Sequence, residues 1–137
     1  MSTQTRPELS KKSKYWIPRH RYFELKHFVM QFPYWETQIL SIDSMVKSNL
    51  DKDGKLNDIP DPVGKAVEKR TQYANNMAIC LHVAKGIDKV LGIYILRAIV
   101  SCESYDKIKA RLDIPCSRDT YYELYRKFFY VLDQVRG

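Results

Sequence analysis

Glycine-rich phosphate loops, serine elbows, CxxC pairs and long apolar runs are all missing from this 137-residue chain, and each absence narrows its function. No apolar run approaches the roughly 20 residues that a membrane helix needs. The opening stretch, MSTQTRPELSKKSK, lacks the apolar core of a signal peptide, so a cytoplasmic protein with no membrane partner is expected. The three cysteines, Cys80, Cys102 and Cys116, are odd in number and scattered, which predicts reduced thiols in or near the core. Five glycines, six prolines and no polar/apolar alternation argue against strands and for an all-α fold. The three histidines, His20, His27 and His82, stand at no recognised spacing from an acid or cysteine. No catalytic residue, metal or cofactor is therefore expected.

What is present is helix punctuation. After Pro18, the residues Tyr22, Leu25, Phe28, Val29 and Phe32 recur at three and four, a helical stripe that Pro33 should break. A second helix follows, with Trp35, Ile39, Ile42 and Val46 on one side. Asp61-Pro62 reads as an N-cap and first helical residue. It opens the longest run, to about Ala84, whose seam of Val63, Val67, Arg70, Ala74, Met77, Leu81 and Ala84 follows a heptad broken by Arg70. Gly86 is the expected C-terminal cap and Asp88 the next N-cap, before an apolar helix over 89–102 that should be central in the core.

Between the second helix and Asp61, NLDKDGKLNDIP from Asn49 resembles an EF-hand calcium loop over six residues. Its twelfth position, however, is Pro60 where a bidentate glutamate belongs, and an Asp-Gly turn is the better account.

The formal charge of +7 favours an anionic partner. Most of it sits early: residues 1–30 hold seven Lys/Arg against two acids. Residues 1–14 read as a mobile basic arm ahead of a single helical domain, 15–137. Arg6, Lys11, Lys12, Lys14, Arg19 and Arg21 are the candidates for salt-sensitive phosphate contacts.

The last 34 residues carry the sharpest pattern. Ser104 can cap a short helix, YDKIKARL; Pro115 prevents its continuation; Ser117 can cap a longer helix with Asp119 in its first turn. Tyr121, Leu124, Tyr125, Phe128, Val131 and Leu132 form the expected inward stripe, leaving Arg118, Asp119, Tyr122, Glu123, Arg126 and Tyr130 outside. Short helix, break and longer helix is the plan of a C-terminal helix-turn-helix, at about 88–137. On that plan an arginine early in the second helix can pair with guanine, and Lys107, Lys109 and Arg111 on the first can contact phosphates.

The segment IKARLDIPCSRDTYYELYRKFFYVL resembles the carboxy-terminal part of phage and prophage transcription regulators of the ArpU/RinA type, and more remotely region four of sigma factors. The likeness lies in Leu112, Ser117, Thr120-Tyr121-Tyr122, Arg126-Lys127 and Phe128-Phe129. The connection from Leu112 to Ser117 is longer than the tightest sigma-like turns. The resemblance implies a sequence-specific regulator in a host bacterial cell that binds double-stranded DNA, with Arg118, Thr120, Tyr122 and Arg126 on bases and Ser117 on phosphate; host RNA polymerase is a further candidate partner, and a second copy of the chain would pair two half-sites. The alternative is a phage protein-interaction or assembly factor, a polymerase adaptor or packaging component. It rests on the heptad seam and on the aromatics Tyr15, Trp16, Tyr34 and Trp35.

Overall fold

These stripes and breaks become six helices in the computed structural model, which describes residues 13–50 and 61–137. They are α1 (Arg19–Met30), α2 (Phe32–Ser48), α3 (Asp61–Ile87), α4 (Gly92–Ser101), α5 (Tyr105–Leu112) and α6 (Arg118–Arg136). No strand occurs among the described residues, so the all-α class holds. Residues 1–12 and all of the EF-hand-like stretch after Leu50 lie outside them. The chain groups into two compact units, Met1–Gln31 with Ile79–Gly137, and Phe32–Ala78.

In the first unit, α1, α4 and α6 pack on one another and α5 packs on α4 and α6. α1 starts after the extended Pro18, and Tyr22, Leu25, Phe28 and Val29 are buried as their spacing predicts. α4 is the most apolar element, and Ile95, Leu96, Ala98 and Ile99 are all in the core. α6 meets them with Tyr121, Tyr122, Tyr125, Phe128, Phe129 and Leu132. The Tyr22 and Tyr125 hydroxyls lie 3.0 Å apart in the interior, and the Tyr22 and Phe129 rings meet edge to face at 4.9 Å. Such pairs add about 1 kcal/mol each beyond the area they bury. Arg21 of α1 donates its Nε–H to Asp133 of α6 at 2.6 Å, a polar strut beside these aromatics.

Two helix ends differ from their sequence reading, the end of α3 and the start of α4, which falls at Gly92 rather than at 89. α3 runs through Gly86 to the buried Ile87 instead of stopping near Ala84. The Asp88 carboxylate accepts from the amides of Val90 and Leu91 at 2.9 and 2.7 Å, just ahead of α4, and these bonds hold its pKa below the usual carboxylate value. α4 ends on Cys102 in the left-handed region, φ 55°, a position that usually takes glycine. That geometry turns the Cys102 side chain outward, 3.8 Å from the Met30 sulfur, so Cys102 is exposed and not a core thiol. Cys80 is buried as expected, and burial pushes its thiol up to about 12.

The turn from α3 into α4 needs a glycine for space. A Cβ built on Gly92 would stand 1.7 Å from the Ala84 carbonyl oxygen and 2.5 Å from its carbon, both backbone atoms that cannot move aside. Gly86, by contrast, has nothing within 4 Å of such a Cβ.

The second unit holds α2 and the first part of α3. Pro33 sits in the first turn of α2, where its missing N–H is not needed. Trp35 and Ile42 are buried, as is Val63 of α3. The Tyr34 and Tyr73 rings meet at 5.9 Å, and Arg70 grips Asp43 through both carboxylate oxygens, which lowers the Asp43 pKa. Arg70, which breaks the heptad, is thus a tie from α3 to α2. Val67 is exposed, so the seam is not a continuous buried stripe.

Two outcomes follow for stability. Gly92→Ala should lower the unfolding free energy by about 2 kcal/mol through forced backbone displacement, while Gly86→Ala should raise it by about 0.5 kcal/mol through helix propensity; urea midpoints report both. Burial raises the Tyr121 and Tyr125 hydroxyls above the ordinary value of 10 in the folded state, with Tyr22 adding to the effect on Tyr125. A raised tyrosine pKa means the folded state holds its protons longer than the unfolded chain. That stability is present below about pH 10 and is lost as pH rises further. Urea titrations between about pH 8 and 11 should show a plateau and then a fall, shallower in the Tyr121→Phe/Tyr125→Phe variant.

Candidate nucleic-acid interface

Both helices of the terminal pair are defined by serine caps. The Ser104 hydroxyl accepts from the Lys107 amide at the start of α5, and the Ser117 hydroxyl accepts from the Thr120 amide at the start of α6. Asp106 and Asp119 occupy the first turns, where negative charge favours the helix dipole. α5 ends on Asp113, left-handed at φ 49°, and the fully buried Ile114 anchors the turn from below. Tyr105 of α5 donates its hydroxyl to the Cys116 carbonyl at 2.6 Å, fixing the far side of the turn. The break predicted at Pro115 is therefore an ordered connection with one apolar plug and one hydrogen-bonded strap.

The first turn of α6 projects from this connection. Ser117, Arg118, Asp119 and Thr120 are all exposed. The Arg118 guanidinium donates through Nη2 to the Asp106 carboxylate and lies 5.3 Å over the Tyr105 ring. Thr120 shares a 3.1 Å hydroxyl contact with Ser117. About two helical turns beyond Arg118, Arg126 is half-buried and lines an open cleft with Lys14, Tyr15, Arg118, Asp119 and Glu123. Tyr15 reaches this face because its ring packs at 5.6 Å on Tyr130 of α6.

Tyr122 is corrected. It is buried at 7% exposure, its ring edge-on to Tyr121 at 4.9 Å and its hydroxyl 3.5 Å from the Tyr105 amide, so it is core and not an outward base reader. The reason is that α6 is enclosed by α1 and α4 and also by α5, which widens its buried arc beyond one stripe. The doubled aromatics Tyr121-Tyr122 and Phe128-Phe129 are the signal that gives this arc away.

The phosphate-side residues divide. Lys107 is exposed, with no ion-pair partner among the described residues. Lys109 folds back onto Asp113 at 3.1 Å and the Ile114 carbonyl at 3.0 Å, and its pKa is raised by Asp113. Arg111 pairs with Glu103 at 3.0 Å. Of the basic arm, Arg6, Lys11 and Lys12 lie outside the described residues. Lys14 is 4.0 Å from Glu123, and Arg19 is exposed over the Phe23 ring. Arg21 is the second correction: its pairing with Asp133 takes it out of the arm and into the packing of α1 on α6.

The charge is partitioned between the units. The first contains seventeen Lys/Arg against nine Asp/Glu, the second six against seven, so the whole positive excess belongs to the unit that carries α5 and α6. Among the described residues no group of three His, Cys, Asp or Glu side chains is arranged to hold a metal ion, and no helix is long and apolar enough to cross a membrane. No protein-family model, curated protein or solved structure matches the chain.

The Tyr122 assignment is directly measurable. Tyr122→Ala should cost about 3 kcal/mol of stability by opening a core cavity, whereas Thr120→Ala on the exposed face should cost less than about 1 kcal/mol. Comparable losses in urea unfolding would contradict the placement of Tyr122.

Proposed function

We propose that this chain is a sequence-specific DNA-binding regulator of the phage type, and that α5, its turn and α6 act as a helix-turn-helix. The observation that carries the reading is the exposed first turn of α6. Arg118 and Thr120 face outward at the start of a helix whose remaining inner arc is fixed by aromatics, on the unit that holds all of the excess positive charge. In a major groove an arginine so placed can pair bidentately with guanine, and a threonine can contact a base edge or the thymine methyl. Arg126 stands about two turns further along the helix, beyond the buried Tyr122. Lys107, Arg111 and Lys14 then supply phosphate contacts, which position the helix without reading sequence.

The rival reading, a protein-interaction or assembly factor, draws on the exposed Tyr34 and Leu40 in the second unit. Trp35 is buried, however, and Tyr15 and Trp16 are half-buried, which removes much of the aromatic patch on which that reading depends.

Fluorescence anisotropy with duplex DNA tests the proposal. Binding should appear at micromolar protein or below and weaken steeply from about 50 to 200 mM salt. Lys107→Ala should weaken all sequences alike and lower the salt slope by about one, while Arg118→Ala should relax sequence preference. No salt-dependent binding at about 10 μM protein would overturn the reading.

A further inference from the structure

We infer that Asp106 is a positioning residue that sets the specificity of Arg118, an inference that rests on the DNA-reading proposal above. Arg118 is the first residue of α6, and its Nη2 is held by Asp106 Oδ1 of α5 while its guanidinium lies over the Tyr105 ring. Both anchors come from the first turn of α5, so they fix the arginine from the neighbouring helix rather than from its own. No hydrogen-bond partner among the described residues takes its Nε or Nη1.

The pair does little for the fold. Its side chains are 54% and 61% exposed, and surface ion pairs of that kind contribute little stability. Its main physical effect is on the arginine itself. A free Arg side chain explores many rotamers, and ordering it on a base opposes binding. Asp106 and Tyr105 supply that ordering in advance, and because Asp106 takes one of the two Nη2 hydrogens, the second Nη2 hydrogen with its neighbour on that edge, Nη1 or Nε, is left to pair with a base edge. The other basic residues here are held differently. Lys109 pairs with Asp113 within one helical turn, and Arg111 pairs with Glu103 in the segment that precedes α5. Among the described basic residues, Arg118 is the one whose ion pair joins α5 to α6, at the start of the proposed reading helix.

Selection from a randomised duplex library of about 20 base pairs tests this. The wild-type protein should enrich a motif with a guanine that Arg118→Ala no longer requires. Asp106→Asn should lower the preference for that guanine by about three- to tenfold, Asp106→Glu should retain most of it, and in the Arg118→Ala background Asp106→Asn should change nothing further. A purely structural role for Asp106 would weaken binding to every duplex equally and leave the guanine ratio unchanged, and that result overturns the inference while the DNA-reading proposal stands. If the wild-type protein enriches no motif and binds no duplex in a salt-dependent way, the proposal falls and the inference with it.

Discussion

Phe128 and Phe129 are neighbours on α6, about 100° apart around the helix axis, and both are buried. A helix that buries adjacent aromatics cannot lie on a flat surface. It needs packing partners on more than one side, and the placement of α1, α4 and α5 around α6 answers that requirement. Tyr121 and Tyr122 repeat the demand two turns earlier, where α5 closes over them with the Tyr105 ring and backbone. The short helix is therefore held against the long one by the same aromatic arc that holds α6 to the core. Its caps and turn complete a geometry that aromatic burial has already made necessary.

Polar groups refine this frame. Tyr22 and Tyr125 share one hydrogen bond between their hydroxyls, in an interior where an unpaired hydroxyl is expensive. The Arg21–Asp133 pair ties α1 to α6, and Arg136 lies 3.6 Å over the Phe28 ring, so two cations are engaged where α1 meets the end of α6. The cations left for an external partner are consequently fewer than the net charge implies. Several candidates read from the sequence as free charges are already committed to acids of this chain.

Much of the fold was legible in the sequence. Ser104, Ser117 and Pro33 act where their chemistry predicts, because caps and proline act on the adjoining backbone and need no tertiary knowledge. The α1 stripe and the apolar α4 were visible for a related reason: each buries residues spaced along its own helix. What could not be read depended on partners distant in the chain. The burial of Tyr122 requires knowing that α5 folds over α6. The demand for glycine at position 92 comes from a carbonyl eight residues earlier, across a turn. Arg21 looked like arm charge until Asp133, 112 residues away, came beside it. In the candidate site, the exposure of Arg118 was foreseeable from periodicity, but the hold of Asp106 on Arg118 was not, since no local rule pairs the first turns of two successive helices.

The two tryptophans fall one to each unit, Trp16 ahead of α1 in the first and the buried Trp35 on α2 in the second. Each unit thus carries its own intrinsic fluorophore. With one indole replaced at a time, the emission of the other follows the local order of a single unit, so the cooperativity of the whole chain is open to spectroscopy without any attached label.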